Sequence, residues 1–234
     1  LIKTLRGLPQ PLQLGHGLAY LLEHVAVPVS PDDLILGRTP EEVPDAEGER
    51  FFQETVAAWG GRGLPPWMPD TGHECFAWEP LLRLGLAGLE EQARLEQERR
   101  SARGESSATL DFLRGAELIY AALRCYARRY AAAAGEAGLE GPARNCEGIA
   151  ARPPASFAEG LQLVWLVTHV YCALCARNPT LTLGRLDELL LPLYRQDLAH
   201  GRLTPEEAGD LVEDFYCKNN LILGRGEHQM GAGS

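Results

Sequence analysis

Residues 157–176 read as one helix that is apolar on every side. Such a helix is stable in water only when other elements cover it all round. Pro153 and Pro154 precede it, and Ser156 stands at the N-cap with Glu159 three residues on, the pattern of a capping box. Asn178-Pro179 ends it. The stretch from Leu161 on is too short for a membrane span, and Gln162, Thr168 and His169 interrupt it. It is therefore predicted to run through the core of a mostly helical domain.

The rest of the chain offers suitable cover. Residues 12–24 read as a helix weakened by Gly15 and Gly17, and residues 25–37 as an extended connection with room for one short strand. Residues 45–59 have helical spacing, and residues 60–73 form a Gly- and Pro-rich loop. From Trp78 the pattern is helical: a Leu81, Leu82, Leu86, Leu89 stripe, then the solvated charge run 90–100, a polar break at 103–108, and a long helix over 110–134. Its Arg124, Arg128 and Arg129 read as a solvated or salt-bridged face rather than a ligand site. Two further helices follow, over 187–200 and 204–220, the second with Pro205 at N1. The run Leu221-Ile-Leu-Gly224 is expected to begin a strand.

Composition narrows the function classes. Lys and Arg number 22 against 32 Asp and Glu, a formal charge of −10, and no basic stripe offsets it, so nucleic acid is not an expected partner. No segment suits a membrane and no leader pattern opens the chain, so a cytoplasmic location is expected. The six cysteines are spread through helical segments, as reduced thiols would be. The chain starts without Met and stops soon after an apolar run, so both ends read as cut.

Three constellations bear on chemistry. His169, Cys172 and Cys175 have metal-ligand spacing, but three-residue steps on a helix turn by about −60° each and no second C-x-x-C supplies a fourth ligand. They read as core, with no metal expected. Gly72-His73-Glu74-Cys75 enters a helix from the loop, a junction that favours polar ligands, so His73 is a candidate substrate contact. Nucleophile activation between sequence neighbours such as His73 and Cys75 is the weaker reading. Thr180, Thr182, Gly184 and Arg185 form a polar turn that serves either as a helix cap or as a pocket wall.

Several segments match known motifs in a fixed order. Pro31-Asp-Asp-Leu-Ile-Leu-Gly-Arg38 is similar to a P-x-D/E-x-I-x-G-R segment. Gly72-His73 with Trp78-Glu79-x-x-Leu82 resembles GH…DYEKVL. Pro153-Pro154-x-x-Phe157-x-Glu159-x-Leu161-Gln162-x-x-Trp165 resembles PP-x-T-F-x-E-A-L-Q-x-x-W. Leu183-Gly184-Arg185-x-Asp187 resembles S-x-G-R-x-D-Q, with Glu188 in place of Gln and Thr182 in place of Ser. Pro192, Tyr194, Asp197-Leu198, Gly201-Arg202-Leu203-Thr204, Glu206-Glu207-Ala208, Phe215 and Lys218 continue the series. The ordered set resembles glycyl radical enzymes of the pyruvate formate-lyase family.

The resemblance implies a ten-stranded β/α barrel, of which all 234 residues form the helical N-terminal part. It implies radical cleavage of a C–C, C–O, C–N or C–S bond in a small substrate, by a formate C-acetyltransferase-like lyase or dehydratase. The full enzyme would be an anaerobic homodimer whose glycyl radical is installed by a radical S-adenosylmethionine activase. The cysteine loop and the glycine motif do not occur in these residues, so no catalytic residue is expected here, no cofactor is expected to bind this part, and the part alone is expected to be inactive. Substrate contacts carried over fall on His73, Thr180 and Thr182. On this reading later barrel strands supply part of the cover for the central helix. Trp165, Val170 and Leu174 are then expected to be partly bare, and the isolated chain to associate. The alternative is a stand-alone helical binding or interaction module derived from the family.

Overall fold

A computed structural model describes residues 5, 7–38, 50, 74–175 and 181–230, with the side chains of residues 74, 173–175 and 221–230 left aside. The helix expected over 45–59 and the loop over 60–73 lie outside the described residues. In chain order the elements are α1 (Gln10–His24), β1 (Glu74–Cys75), α2 (Trp78–Ala102), α3 (Ser107–Glu136), α4 (Glu140–Ala151), α5 (Phe157–His169) with a π-helical turn at Val170–Cys175, β2 (Leu181–Thr182), α6 (Leu186–Ala199) and α7 (Pro205–Met230).

Helix α5 is the centre, as its all-round apolar pattern requires. It touches α2, α3, α4, α6 and α7, and Leu163, Val164 and Leu166 are fully buried. Trp165 and Val170 are buried as well, which overturns the expectation that they lie partly bare; Leu174 is outside the described side chains. The cover comes from this chain: Trp165 packs on Gly37, His169 and Phe215.

Both ends of α5 follow from local sequence. Ser156 Oγ accepts from the Glu159 N–H at 3.1 Å, half of the expected capping box. The Glu159 carboxylate turns one residue further back, accepting from the Ala155 N–H at 2.6 Å and from both Arg152 terminal nitrogens at 2.7 and 2.8 Å. Asp197 of α6 takes the Phe157 N–H at 2.7 Å and is itself held by Arg202. The beginning of α5 is thus closed by carboxylates, which the positive end of a helix favours. Its end loosens into the π turn, a feature that often stands beside functional sites.

Glycines set two close approaches. A Cβ on Gly115 would lie 2.6 Å from the Pro11 carbonyl oxygen, so α1 and α3 pack backbone to backbone there. Gly85, at φ 65°, kinks α2 and seats Pro153 against it.

Residues 26–38 form an irregular connection with a turn at 31–32 and a bend at 34–35, not the extended run expected over 25–37, and no strand forms there. Side chains stand in for the missing strand partner. Asp214 of α7 accepts from the Leu34 and Ile35 N–H groups at 3.2 and 2.8 Å. The Gln162 carboxamide accepts from the Leu36 N–H and donates to its carbonyl, each at 2.7 Å. Trp165 Nε1 donates to the Gly37 carbonyl at 3.0 Å, and the Tyr130 hydroxyl both accepts from and donates to the Arg38 backbone at 3.1 Å. Below this strap Lys218, 1% exposed, meets buried Asp33 at 2.7 Å, and Arg38 closes the cluster on the same carboxylate. Burial pushes the Asp33 carboxyl up, but hydrogen bonds from Arg38, Lys218 and the Ser30 N–H together hold it below 3.8.

Two further points differ from the sequence reading. Helix α4 was not anticipated, because Gly141, Pro142 and Gly148 dilute its pattern; Pro142 falls in the first turn, where no N–H is missed. Residues 221–224 are helical, not a strand: α7 continues through them, since no breaker stops it and no strand among the described residues is at hand to pair with them.

Candidate functional site

The described residues contain one sheet, two residues wide on each side. Strand β1 pairs in parallel with β2, Glu74 opposite Leu181 and Cys75 opposite Thr182. A chain separation of more than a hundred residues is thereby closed at a single point, where the segment that follows His73 lies beside the segment that follows Thr180. Partners in register project to the same face, and Cys75 and Thr182 are both exposed. His73 and Thr180 themselves lie outside the described residues, so of the three expected substrate contacts only Thr182 is placed here.

The wall behind the strand pair is aromatic. Trp78 opens α2 and is 3% exposed. Phe76 meets it edge-on at 5.3 Å and meets Tyr171 of the π turn edge-on at 5.0 Å. After β2 the chain turns at Gly184, whose φ of 65° favours glycine. Arg185 folds onto Asp187 and Glu188 at 2.8 Å, and its hydrogen bonds pull the exposed Asp187 carboxyl down to about 2. In the structure this turn joins the end of β2 to the start of α6, with no side-chain cap bond at Arg185.

The remaining singled-out groups fall elsewhere. His169 is fully buried, stacked near Tyr126 and Trp165 at 6.3 and 5.8 Å, and Cys172 is buried. Both belong to the core; the Cys175 side chain is outside the described ones. Arg124 holds Glu90 at 2.6 Å and the Ala150 carbonyl, while Arg129 caps the Leu22 carbonyl, so that patch ties helices together. Sequence reasoning underrated Cys75, weighed only as a partner for His73. Its neighbour across the sheet is set by strand register, which no local pattern reveals.

The chain and its fold can be matched to known proteins. The profile of the pyruvate formate lyase-like family covers residues 62–224. The chain belongs to this family of glycyl radical enzymes. It is 29% identical to the (2S)-3-sulfopropanediol dehydratase of Klebsiella oxytoca over 203 residues, covering 81% of this chain and 23% of that one. It is also 29% identical to the isethionate sulfite-lyase of Oleidesulfovibrio alaskensis, covering 91% of this chain and 35% of that one. Among solved structures, the B12-independent glycerol dehydratase of Clostridium butyricum in its glycerol-bound form superposes with a TM-score of 0.80 at 18% identity, over 93% of this chain and 36% of that one. A Roseburia inulinivorans structure solved for 1,2-propanediol dehydration gives a TM-score of 0.78 at 22% identity, over 91% and 33%. The chain therefore spans only 23% and 35% of the length of these two curated relatives.

Proposed function

We propose that this chain is the helical N-terminal part of a glycyl radical dehydratase or lyase that cleaves a C–O or C–S bond in a small hydroxylated substrate. The observation that carries the reading is the parallel pairing of Glu74–Cys75 with Leu181–Thr182 in front of an aromatic wall. It joins the two segments on which the family resemblance puts substrate contacts, and the relatives named above act on two- and three-carbon compounds of that kind.

In this reading the paired strands are the opening edge of the ten-stranded barrel, and helices α2 to α7 wrap it. The glycyl radical, carried elsewhere in the full polypeptide and installed by a separate radical S-adenosylmethionine activase, supplies the one-electron chemistry. The residues of this chain bind and exclude: Thr182 offers a hydroxyl to a substrate oxygen, His73 and Thr180 complete the polar contact, and the apolar helices keep water out. The full enzyme is a cytoplasmic homodimer, and the 234 residues alone are inactive.

The test is anaerobic co-expression of the full-length polypeptide with an activase, followed by electron paramagnetic resonance and assay against isethionate, 3-sulfopropanediol, glycerol and propane-1,2-diol. A glycyl doublet with turnover of at least one compound is expected. A full-length polypeptide that is treated with the activase under conditions that activate a known relative, yet shows neither doublet nor turnover, overturns the reading. The 234-residue chain alone should give no doublet.

A further inference from the structure

We propose that Cys75 is a specificity-determining residue of this site, its thiol lining the substrate space with Thr182 while the Trp78 indole N–H donates to a substrate oxygen; this rests on the function proposed above. Three observations meet at one point. A Cβ placed on Gly184 would stand 4.0 Å from Cys75 Sγ and 3.9 Å from Trp78 Cδ1, so the thiol and the nitrogen-bearing edge of the indole face the same small space. Glycine keeps that space free of a side chain. Thr182 adjoins it across the sheet, opposite Cys75.

The indole supplies an independent sign of a ligand. Trp78 is almost wholly buried and its Nε1 has no hydrogen-bond partner among the described residues. Buried N–H groups are rarely left so, and the other described tryptophan, Trp165, donates to the Gly37 carbonyl at 3.0 Å. An oxygen arriving beside Gly184 would satisfy a donor that the protein leaves open.

Among the described residues the thiol makes only a long hydrogen bond, to the Phe76 carbonyl at 3.6 Å. A thiol is a weak donor and a small hydrophobe. Beside a hydroxyl and an indole N–H it therefore accommodates a carbon substituent, while its two neighbours read oxygen. The site so built favours a compound with a hydroxyl on one carbon and an apolar group on the next. Serine at position 75 would add a hydrogen-bonding group, and valine would fill the space with methyls.

The experiment uses the activated full-length enzyme with glycerol, propane-1,2-diol and isethionate as probes. Iodoacetamide labelling of Cys75, read by mass spectrometry, should slow at least tenfold at a saturating concentration of one probe. Trp78→Phe should raise the concentration of that probe needed for protection about tenfold. Cys75→Val should move the kcat/KM ratio of propane-1,2-diol over glycerol up about tenfold and Cys75→Ser should move it down, with the glycyl doublet unchanged in both; a missing methylene or hydroxyl partner discriminates on this scale. Turnover with labelling unprotected and ratios unchanged overturns the proposal and leaves the proposed function standing. A Cys75 that iodoacetamide never reaches in the free enzyme also counts against it. Absence of the doublet in the wild type removes the proposed function and this proposal together.

Discussion

Replacing Gln162 by leucine tests whether the strap is held by side chains in the manner described. The residue is 1% exposed, and its carboxamide makes two 2.7 Å hydrogen bonds to the backbone of Leu36, itself fully buried. Leucine fits the volume but leaves the Leu36 N–H and carbonyl without partners. A buried polar group so orphaned costs about 1–3 kcal/mol, or roughly 2–6 kcal/mol for the two. The added apolar burial returns about 1–2 kcal/mol. The net loss is therefore expected near 3 kcal/mol, a large share of the 5–15 kcal/mol typical of a domain. Urea unfolding followed by far-UV circular dichroism measures it, with the slope unchanged because the same surface is exposed. Hydrogen exchange supplies the local readout: the Leu36 amide should lose protection before the amides within α5 do. A loss below about 1 kcal/mol with the Leu36 amide still protected would refute the claim that the strap depends on this clasp.

Lys218→Met leaves Asp33 buried with Arg38 as its remaining cation, and should cost about 2–4 kcal/mol, the low side of breaking a buried pair; equilibrium unfolding at neutral pH checks it. Because the Asp33 carboxyl is held below 3.8 in the folded state, its contribution is present above that value and is lost as the pH falls through the folded-state value. Asp33→Asn should therefore flatten the stability profile below about pH 4, read from melting temperatures across the acid range. Gly148→Ala would drive a Cβ into the Glu159 carboxylate and 3.2 Å from an Arg152 terminal nitrogen. Disturbing that clasp should cost about 1–3 kcal/mol, measured by thermal unfolding. Gly37→Ala puts a methyl 2.5 Å from Trp165 Nε1 at a φ of 133°, and should break the Trp165 bond and blue- or red-shift its fluorescence while lowering the melting temperature.

The parts of this fold legible in the sequence are those written in local periodicity. Helix α5 announced itself by Ser156, Glu159 and an apolar run, and α7 by Thr204 and Pro205, whose cap is completed by the Glu207 N–H to Thr204 Oγ1 at 3.1 Å. What stayed hidden depends on partners far off in the chain. Gln162 was legible as a polar interruption of an apolar helix and as a letter of a motif, but not as a clasp, because its partner Leu36 lies 126 residues away. Helix α4 hid because its buried face rests on Cys146, Ile149 and Ala150, too few large residues to mark a stripe. Cys75 hid for a different reason: a two-residue strand carries no alternation, so only its register with Thr182 says which face it shares.

The pieces that carried the family resemblance turn out to be partners of one another. The strap from Pro31 to Arg38 is clasped by Gln162 and Trp165 of the Pro153–Trp165 piece and by Asp214 and Lys218 next to Phe215. Asp197 of the series that follows Pro192 closes the start of α5. These residues form a frame, and most of them are buried and saturated with hydrogen bonds, which leaves them no capacity for substrate. The strand pair is the opposite case: Cys75 and Thr182 are exposed, and Trp78 keeps an open donor. A frame held by long-range hydrogen bonds can fix the position of two short strands while leaving the few side chains on them free to vary. Differences in substrate between this protein and its relatives are therefore to be sought at positions such as 75 and 182, and differences in stability at positions such as 162 and 218.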